Sequence, residues 1–363
     1  MISPYFSVLI PTKNRSELVG GAIDSLLAQT FTDFEITVAD NDDSEDTSEV
    51  LVQYDDPRLR YFRTGGLSMV ENWEFGRKQC KGRYLTVLED KLTFYPWSLE
   101  KIHQVLESRP CDAAVWGVIG ANVAGADDYD ALEVLETNSA AEILNDYVLG
   151  KKVWKKTPRL INSCISATLI DRVIKIYPGG AFFNYASPDL VAAFTQLMLL
   201  DEIPFIDKNL VYQRANTSAS SSVRVNKSIA VNYFSGNSGY DIRDCVSMVP
   251  IKNYCLIQNT VYNDFLNTRR LLGGKLEHYR MSDYVYARIC LRDIYATLSR
   301  GGNISTEIRD VARFMDNTLT WTERASLWLW WLKLVVHKHL VIKLYRPMRS
   351  WLSRRLSFSG RAR

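Results

Sequence analysis

Phe6-Ser-Val-Leu-Ile-Pro11 and Glu35-Ile-Thr-Val-Ala-Asp40 decide how this chain is read. The first is a short apolar run and the second a further strand, and each ends in a polar cluster. Between them, Ser16 to Gln29 carries Leu18, Ala22 and Leu26 at helical spacing, with Ser16 as a candidate N-cap. The alternation continues outward. Thr47 to Tyr54, Ser68 to Gln79 and Trp97 to Ser108 read as helices, and Leu59 to Arg63, Tyr84 to Leu88 and Ala113 to Ile119 as strands. Strands alternating with helices imply crossover connections, hence an α/β fold with a mostly parallel sheet covered by helices on both faces.

In such sheets ligands bind beyond the carboxyl ends of the strands. Three polar clusters fall there: Pro11-Thr-Lys-Asn-Arg15 after the first strand, Asp40-Asn-Asp-Asp43 after the second, and Glu89-Asp90-Lys91 after the fourth. A single polar turn is ordinary; three at one sheet edge form a candidate site.

Beyond residue 120 the pattern loosens. Ala121 to Asp130 is loop-like, Ala140 to Leu149 helical, and Ile161 to Ile170 fits either a strand or a helix. Ser187-Pro188-Asp189 opens a strong helix to Leu200, with Ser187 as cap and Pro188 at the first helical position. Pro204 to Arg214 reads as a strand, and Asn216 to Ser222 as a polar loop marking a boundary. The expected division is residues 1–225 as an α/β domain, 226–315 as a helical domain and 316–363 as a tail.

The chain has 363 residues, 47% hydrophobic and 23% charged, which excludes a disordered or fibrous protein. No window reaches about 18 uninterrupted apolar residues, so a spanning helix is not expected. The opening MISPYFSVLIPT has no basic leader, so a secretory signal is not expected either. The six cysteines form no CxxC pair and read as reduced thiols; the four histidines lack metal-ligand clustering.

Charge is placed unevenly. From Trp321 to Arg363 there are ten Lys/Arg against the single acid Glu323, and five of the nine tryptophans. Trp, Lys and Arg together suit the headgroup region of an anionic bilayer. The tail is therefore read as membrane-associating, with a terminal core helix or an oligomer contact as the alternative; nucleic acid is not an expected partner.

The run Ser7-Val-Leu-Ile-Pro-Thr-Lys-Asn-Arg15 resembles the opening of the family 2 glycosyltransferases. So do Ile23-Asp-Ser-Leu-Leu-Ala-Gln-Thr30, Asp33-Phe-Glu-Ile-Thr-Val-Ala-Asp-Asn41 and Gly82-Arg-Tyr-Leu-Thr-Val-Leu-Glu-Asp90. Met69-Val-Glu-Asn-Trp-Glu74 resembles one subgroup. The likeness spans roughly residues 5 to 215. It implies the GT-A fold, Rossmann-like, and says little of the chain beyond about residue 225, where residues 226 to about 315 read as mainly helical. It also implies an inverting enzyme with a nucleotide-sugar donor. Pro11, Thr12, Asn14 and Arg15 would line the nucleotide pocket, Asp40 would bond the base or ribose, and Asn72 would approach the donor.

One departure matters. The family's acidic triplet, often Asp-x-Asp, reads Glu89-Asp90-Lys91 here. Three readings stand. Asp90, helped by Glu89, holds Mg²⁺ or Mn²⁺; or Lys91 contacts the diphosphate in place of the cation; or Lys91 turns to solvent or pairs with Glu89 or Asp90 and the enzyme is weak or inactive. For the general base the resemblance implies Asp189, with Asp201 and Glu202 as alternates; acids also favour a first helical turn for dipole reasons alone. The expected role is sugar transfer to a glycan, with a lipid-linked acceptor, in bacterial capsule, lipopolysaccharide or exopolysaccharide assembly at the cytoplasmic face of the membrane. A non-catalytic nucleotide-sugar-binding protein and a nucleotidyltransferase are the rivals, and a homo-oligomer is compatible with the sequence.

Overall fold

The computed structural model describes residues 3–120, 135–214 and 241–336. The expected loops at 121–130 and 216–222 and the boundary at 225 lie outside the described residues, as does the tail from 337. The chain divides into two compact units, Met1–Met281 and Ser282–Arg363.

The first unit opens with the expected alternation: β1 (Phe6–Thr12), α1 (Ser16–Leu27), β2 (Phe34–Asp40), α2 (Asp46–Leu51), β3 (Leu59–Arg63), α3 (Met69–Gln79) and β4 (Tyr84–Val87). These strands pair in the order β3-β2-β1-β4, all parallel. Thr12, Asp40 and Arg63 lie in register, so the carboxyl ends of three strands form one edge.

The parallel pattern then stops. β5 (Leu92–Phe94) follows β4 almost at once, and a parallel neighbour needs a crossover of about a dozen residues. The chain instead sends β5 to the far side of the sheet. After α4 (Ser98–Ser108) come β6 (Ala113–Ile119), β7 (Leu135–Ser139), α5 (Ala140–Val148), β8 (Ser163–Ser166), α6 (Ala167–Ile176), α7 (Pro188–Leu199), β9 (Glu202–Gln213) and α8 (Ile257–Leu272). The full sheet order is β3-β2-β1-β4-β8-β6-β9-β5, with β7 beside β9. β8 runs antiparallel to β4 and β6, and β5 and β7 antiparallel to β9, whereas β6 and β9 are parallel. The parallel character thus belongs to the first half of the sheet, and the second half is mixed. The ambiguous stretch 161–170 holds both elements, because the Ser166 hydroxyl accepts the Leu169 N–H and turns strand into helix.

Side chains on the two faces of β1 enter two cores. Phe6, Val8 and Ile10 pack with α1 and α4, and Leu9 packs on the other face with α3, α6 and α7. Burial on both faces explains why β1 is apolar without alternation. Gly76 lets α3 settle on the sheet, since a Cβ there would collide with a methyl of Leu9. Ser68 and Glu71 form a reciprocal capping box that fixes where α3 begins.

The second unit is helical: α9 (Asp283–Leu298), α10 (Ser305–Thr318) and α11, residues 321–336. Tyr286 meets Phe314 edge to face, Leu327 is buried, and Trp331 Nε1 donates to the Leu291 carbonyl at 3.0 Å. Leu329, Leu332 and Val336, at helical spacing, remain exposed. Among the described residues no helix is long and apolar enough to cross a membrane.

Candidate active site

The strand ends of the parallel half open into a cleft of about 700 Å³. Pro11, Thr12, Asn14, Arg15, Asn72, Glu89, Asp90, Lys91 and Asp189 all line it. Three of those segments are separated by some 60 to 100 residues in sequence, and the fold brings them to one place.

The turn after β1 is held by its neighbour. Asn14 adopts a positive φ of 53°, and its backbone N–H donates to the Asp42 carboxylate. Its amide also donates to Asp43 Oδ2 at 3.1 Å. Asn tolerates this left-handed conformation better than most residues. Arg15 follows and places Nη1 3.2 Å from Asp90 Oδ1, while the Thr12 hydroxyl donates to Asp90 Oδ2 at 3.2 Å. Asp90 is buried. Burial pushes its carboxyl above the ordinary range and Glu89 adds to the rise, while Arg15 pulls the other way.

Lys91 Nζ sits 2.6 Å from Glu89 Oε2. The residues present therefore do not fit a resident divalent ion. Hard cations want several oxygens free to coordinate, yet Asp90 is engaged by Arg15 and Thr12, and Glu89 by an ammonium where the third carboxylate would stand. Among the described residues no three metal-ligating side chains gather. The lining instead carries four cations (Lys13, Arg15, Lys91, Arg159) against three carboxylates (Glu89, Asp90, Asp189). That surplus suits an anionic ligand.

Asp40 is not on the cleft surface. It is fully buried, its carboxylate accepting the Tyr61 hydroxyl at 2.6 Å and the Asp42 N–H at 2.9 Å. Burial raises its carboxyl, against the pull of the Tyr61 bond. Its neighbour Asn41 lines the cleft instead. Asn72 reaches the cleft with both ends of its amide committed, donating to the Ala39 carbonyl at 2.9 Å and accepting from Thr64 at 2.7 Å. It ties α3 to the end of β2. Asp201 and Glu202 lie away from the cleft: the Asp201 carbonyl accepts the Ala140 N–H, and exposed Glu202 faces Arg109 at 3.5 Å.

Asp189 occupies the first turn of α7, half-buried on the cleft wall. Loss of water raises its carboxyl to about 6, with Glu89 adding to the rise and Arg159 and Lys91 opposing it. A carboxylate near 6 is a proton acceptor at neutral pH with more affinity for the proton than an ordinary aspartate.

Four contributors escaped the sequence reading. Arg159 and Trp154 line the cleft, and among the described residues the buried Nε of Arg159 has no hydrogen-bond partner. Glu74 accepts the backbone N–H groups of Phe182 and Phe183, both at 3.1 Å, while pairing with Arg77. Asp264, on α8, accepts the Ser187 N–H at 2.9 Å. Segment 182–187, which includes Tyr185 at a positive φ of 60°, therefore hangs between two buried carboxylates just before Asp189. The phrase Asn72-Trp73-Glu74 was a visible signal for the first anchor; nothing local in Asn263-Asp264 marks the second.

Residues 7–168 match the family model described as Glycosyl transferase family 2. A GalNAc(5)-diNAcBac-PP-undecaprenol beta-1,3-glucosyltransferase from Campylobacter jejuni is 38% identical over 91 residues, 24% of this chain and 29% of that protein. The matches span less than a third of the length of the first curated relatives. Among solved structures, S. aureus TarS 1–349 in complex with UDP-GlcNAc is similar at 18% identity and a TM-score of 0.46, covering 82% of each chain. The mannosyltransferase PcManGT from Pyrobaculum calidifontis, in complex with GDP-Man and Mn²⁺, is similar at 13% identity and a TM-score of 0.49, covering 97% of this chain and 84% of that one.

Proposed function

We propose that the protein is an inverting glycosyltransferase that moves a sugar from a nucleotide-diphosphate donor to a hydroxyl of a glycan acceptor. The observation that carries this reading is the shared cleft of Arg15, Lys91, Arg159 and Asp189 at the carboxyl edge of the parallel strands. The family match over residues 7–168 supports it.

In the proposed reaction Asp189 accepts the proton of the acceptor hydroxyl as that oxygen attacks the anomeric carbon. The new C–O bond forms on the face opposite the leaving group. The bond to the diphosphate breaks, and its electron pair departs with the nucleoside diphosphate. Lys91, Arg15 and Arg159, which line the cleft, meet the developing negative charge. In this reading the cationic side chains do the work that a divalent ion does elsewhere. On the same reading Asn14 and Asn41 border the nucleotide end, and Trp154 lines the cleft with them.

A lipid-linked acceptor is proposed because the Campylobacter jejuni relative is named for an undecaprenyl-diphosphate substrate. The exposed Leu329, Leu332 and Val336 on α11, with the basic sequence beyond them, support residence on an anionic membrane surface at the cytoplasmic face. Assembly of a bacterial surface polysaccharide fits both.

The close Lys91–Glu89 pair favours one second reading, a nucleotide-sugar-binding protein with little turnover. One experiment separates them. A panel of nucleotide-sugars is screened by thermal shift, and turnover of the best binder is followed with lipid-linked acceptors. Transfer that vanishes in Asp189→Asn while donor affinity stays within about twofold supports the enzyme. Binding without release of nucleoside diphosphate under any condition supports the second reading, and retained turnover in Asp189→Asn removes the base assignment.

A further inference from the structure

Asp264 lies outside the family match, on α8, and is almost wholly buried. Its carboxylate accepts the N–H of Ser187, the residue that precedes the first turn of α7 and stands two positions before Asp189. The other buried anchor of this segment, Glu74, is neutralised by Arg77. The groups facing Asp264 are different in kind: Asn263 on its own helix, Asp189 from α7, Tyr147 from α5, and Cys245. Around Asp189 stand Arg159, Glu89 and Lys91.

We propose that Asp264 is a positioning residue for the transfer: it anchors the start of α7 through the Ser187 N–H and, once ionised, sets a second negative charge in reach of Asp189 that makes the base a stronger proton acceptor. The proposal rests on the reading of Asp189 as the base. Two carboxylates in one poorly hydrated region cannot ionise independently, so they lose protons in two steps that belong to the pair. Burial and the neighbouring Asp189 push Asp264 up to about 7, above the value of about 6 for Asp189. The pair therefore gives up its two protons between about pH 5 and pH 8, and once both are ionised each carboxylate raises the proton affinity of the other. Burial pushes the Tyr147 hydroxyl well above its ordinary value and the Cys245 thiol up to about 12, so neither titrates in the same window.

The test is the pH dependence of kcat/KM for the full chain, wild type against Asp264→Asn, with Asp189→Asn alongside. An asparagine oxygen still accepts the Ser187 N–H, so the anchor survives and only the charge is lost. The wild type should rise in two steps between about pH 5 and pH 8. Asp264→Asn should keep the lower step, lose the upper one, and run about three- to tenfold slower at pH 8. An Asp264→Asn profile with the wild-type shape overturns the proposal and leaves Asp264 as a structural anchor. Carboxyl ¹³C NMR of the wild type gives the same answer without a change at 264. The signal missing in Asp189→Asn should shift in two steps with pH, and a single step overturns the coupling. Retained turnover in Asp189→Asn removes the base reading itself, a result distinct from either of these.

Discussion

The Arg15 guanidinium and the Asp90 carboxylate meet at 3.2 Å in the cleft, joining the turns that follow β1 and β4. The pairing occupies the carboxylate that a divalent ion would need most. With Lys91 on Glu89, both carboxylates of the turn after β4 face a cation of this chain.

Transfer should therefore survive excess EDTA, changing by less than about twofold, while Lys91→Ala should lower kcat by about ten- to a thousandfold through lost stabilisation of the leaving diphosphate. Product release measured with and without chelator checks the first part. Complete loss of activity in EDTA, restored by Mn²⁺, would show that a metal is obligatory and that the cationic reading is wrong.

Asp189 carries a stability cost that its removal should reveal. Its carboxyl is raised to about 6 from an ordinary value of 3.8, so the folded state holds that proton more tightly than the unfolded chain does. Stability from this proton is complete below about pH 4 and is lost as pH rises through about 6. Asp189→Asn, which never ionises, should be more stable than wild type at pH 8 by on the order of 1–3 kcal/mol, with the gap closing by pH 4. Denaturant unfolding at the two pH values measures it; an equal gap at both refutes the environment assigned to the side chain.

Glu74 should matter more to kcat than to donor binding. Glu74→Ala leaves the Phe182 and Phe183 N–H groups and the Arg77 guanidinium without their acceptor, at a cost of about 3 kcal/mol. Glu74→Gln keeps an acceptor for the backbone and should lose less. Steady-state kinetics should show kcat falling in Glu74→Ala with donor KM nearly constant, because the loosened segment leads to Asp189 rather than to the nucleotide end. A change confined to donor KM would place the residue's influence elsewhere.

Membrane residence has its own readout. Co-sedimentation with phosphatidylglycerol vesicles should exceed that with phosphatidylcholine, weaken with salt, and drop in a Leu329→Ser/Leu332→Ser variant. Each basic residue near such a surface contributes about 1 kcal/mol. Equal recovery on neutral and anionic vesicles would exclude the charge-led mode of attachment.

The parallel half of the sheet was legible because β1, β2 and β4 are apolar runs that end at polar turns, and period and punctuation are local properties. Nine of the twelve residues singled out in sequence line the cleft, seven of them in the turns where strand ends converge on one edge, and Asp40, Asp201 and Glu202 do not. Asp40 departs from expectation because its orientation depends on Tyr61, a partner on a neighbouring strand that sequence spacing does not reveal. The antiparallel half was hidden in the brevity of the Val87-to-Leu92 connection, and Arg159, Glu74 and Asp264 act through contacts that span from several tens to over a hundred positions. Long-range pairing of this kind leaves no trace in periodicity.

Segment 182–187 is strung from Glu74 on one end and Asp264 on the other, and only the first of these lies inside the part of the chain that matches the family model. A hybrid that joined the first 170 residues to a foreign C-terminal half would take segment 182–187, Asp189 and α8 together from the foreign half, so the contact that must be rebuilt across the junction is the one to Glu74. Exchanging N-terminal halves between relatives should therefore succeed only when the incoming half brings a carboxylate to that position, which makes the Glu74 contact the seam on which such a swap turns.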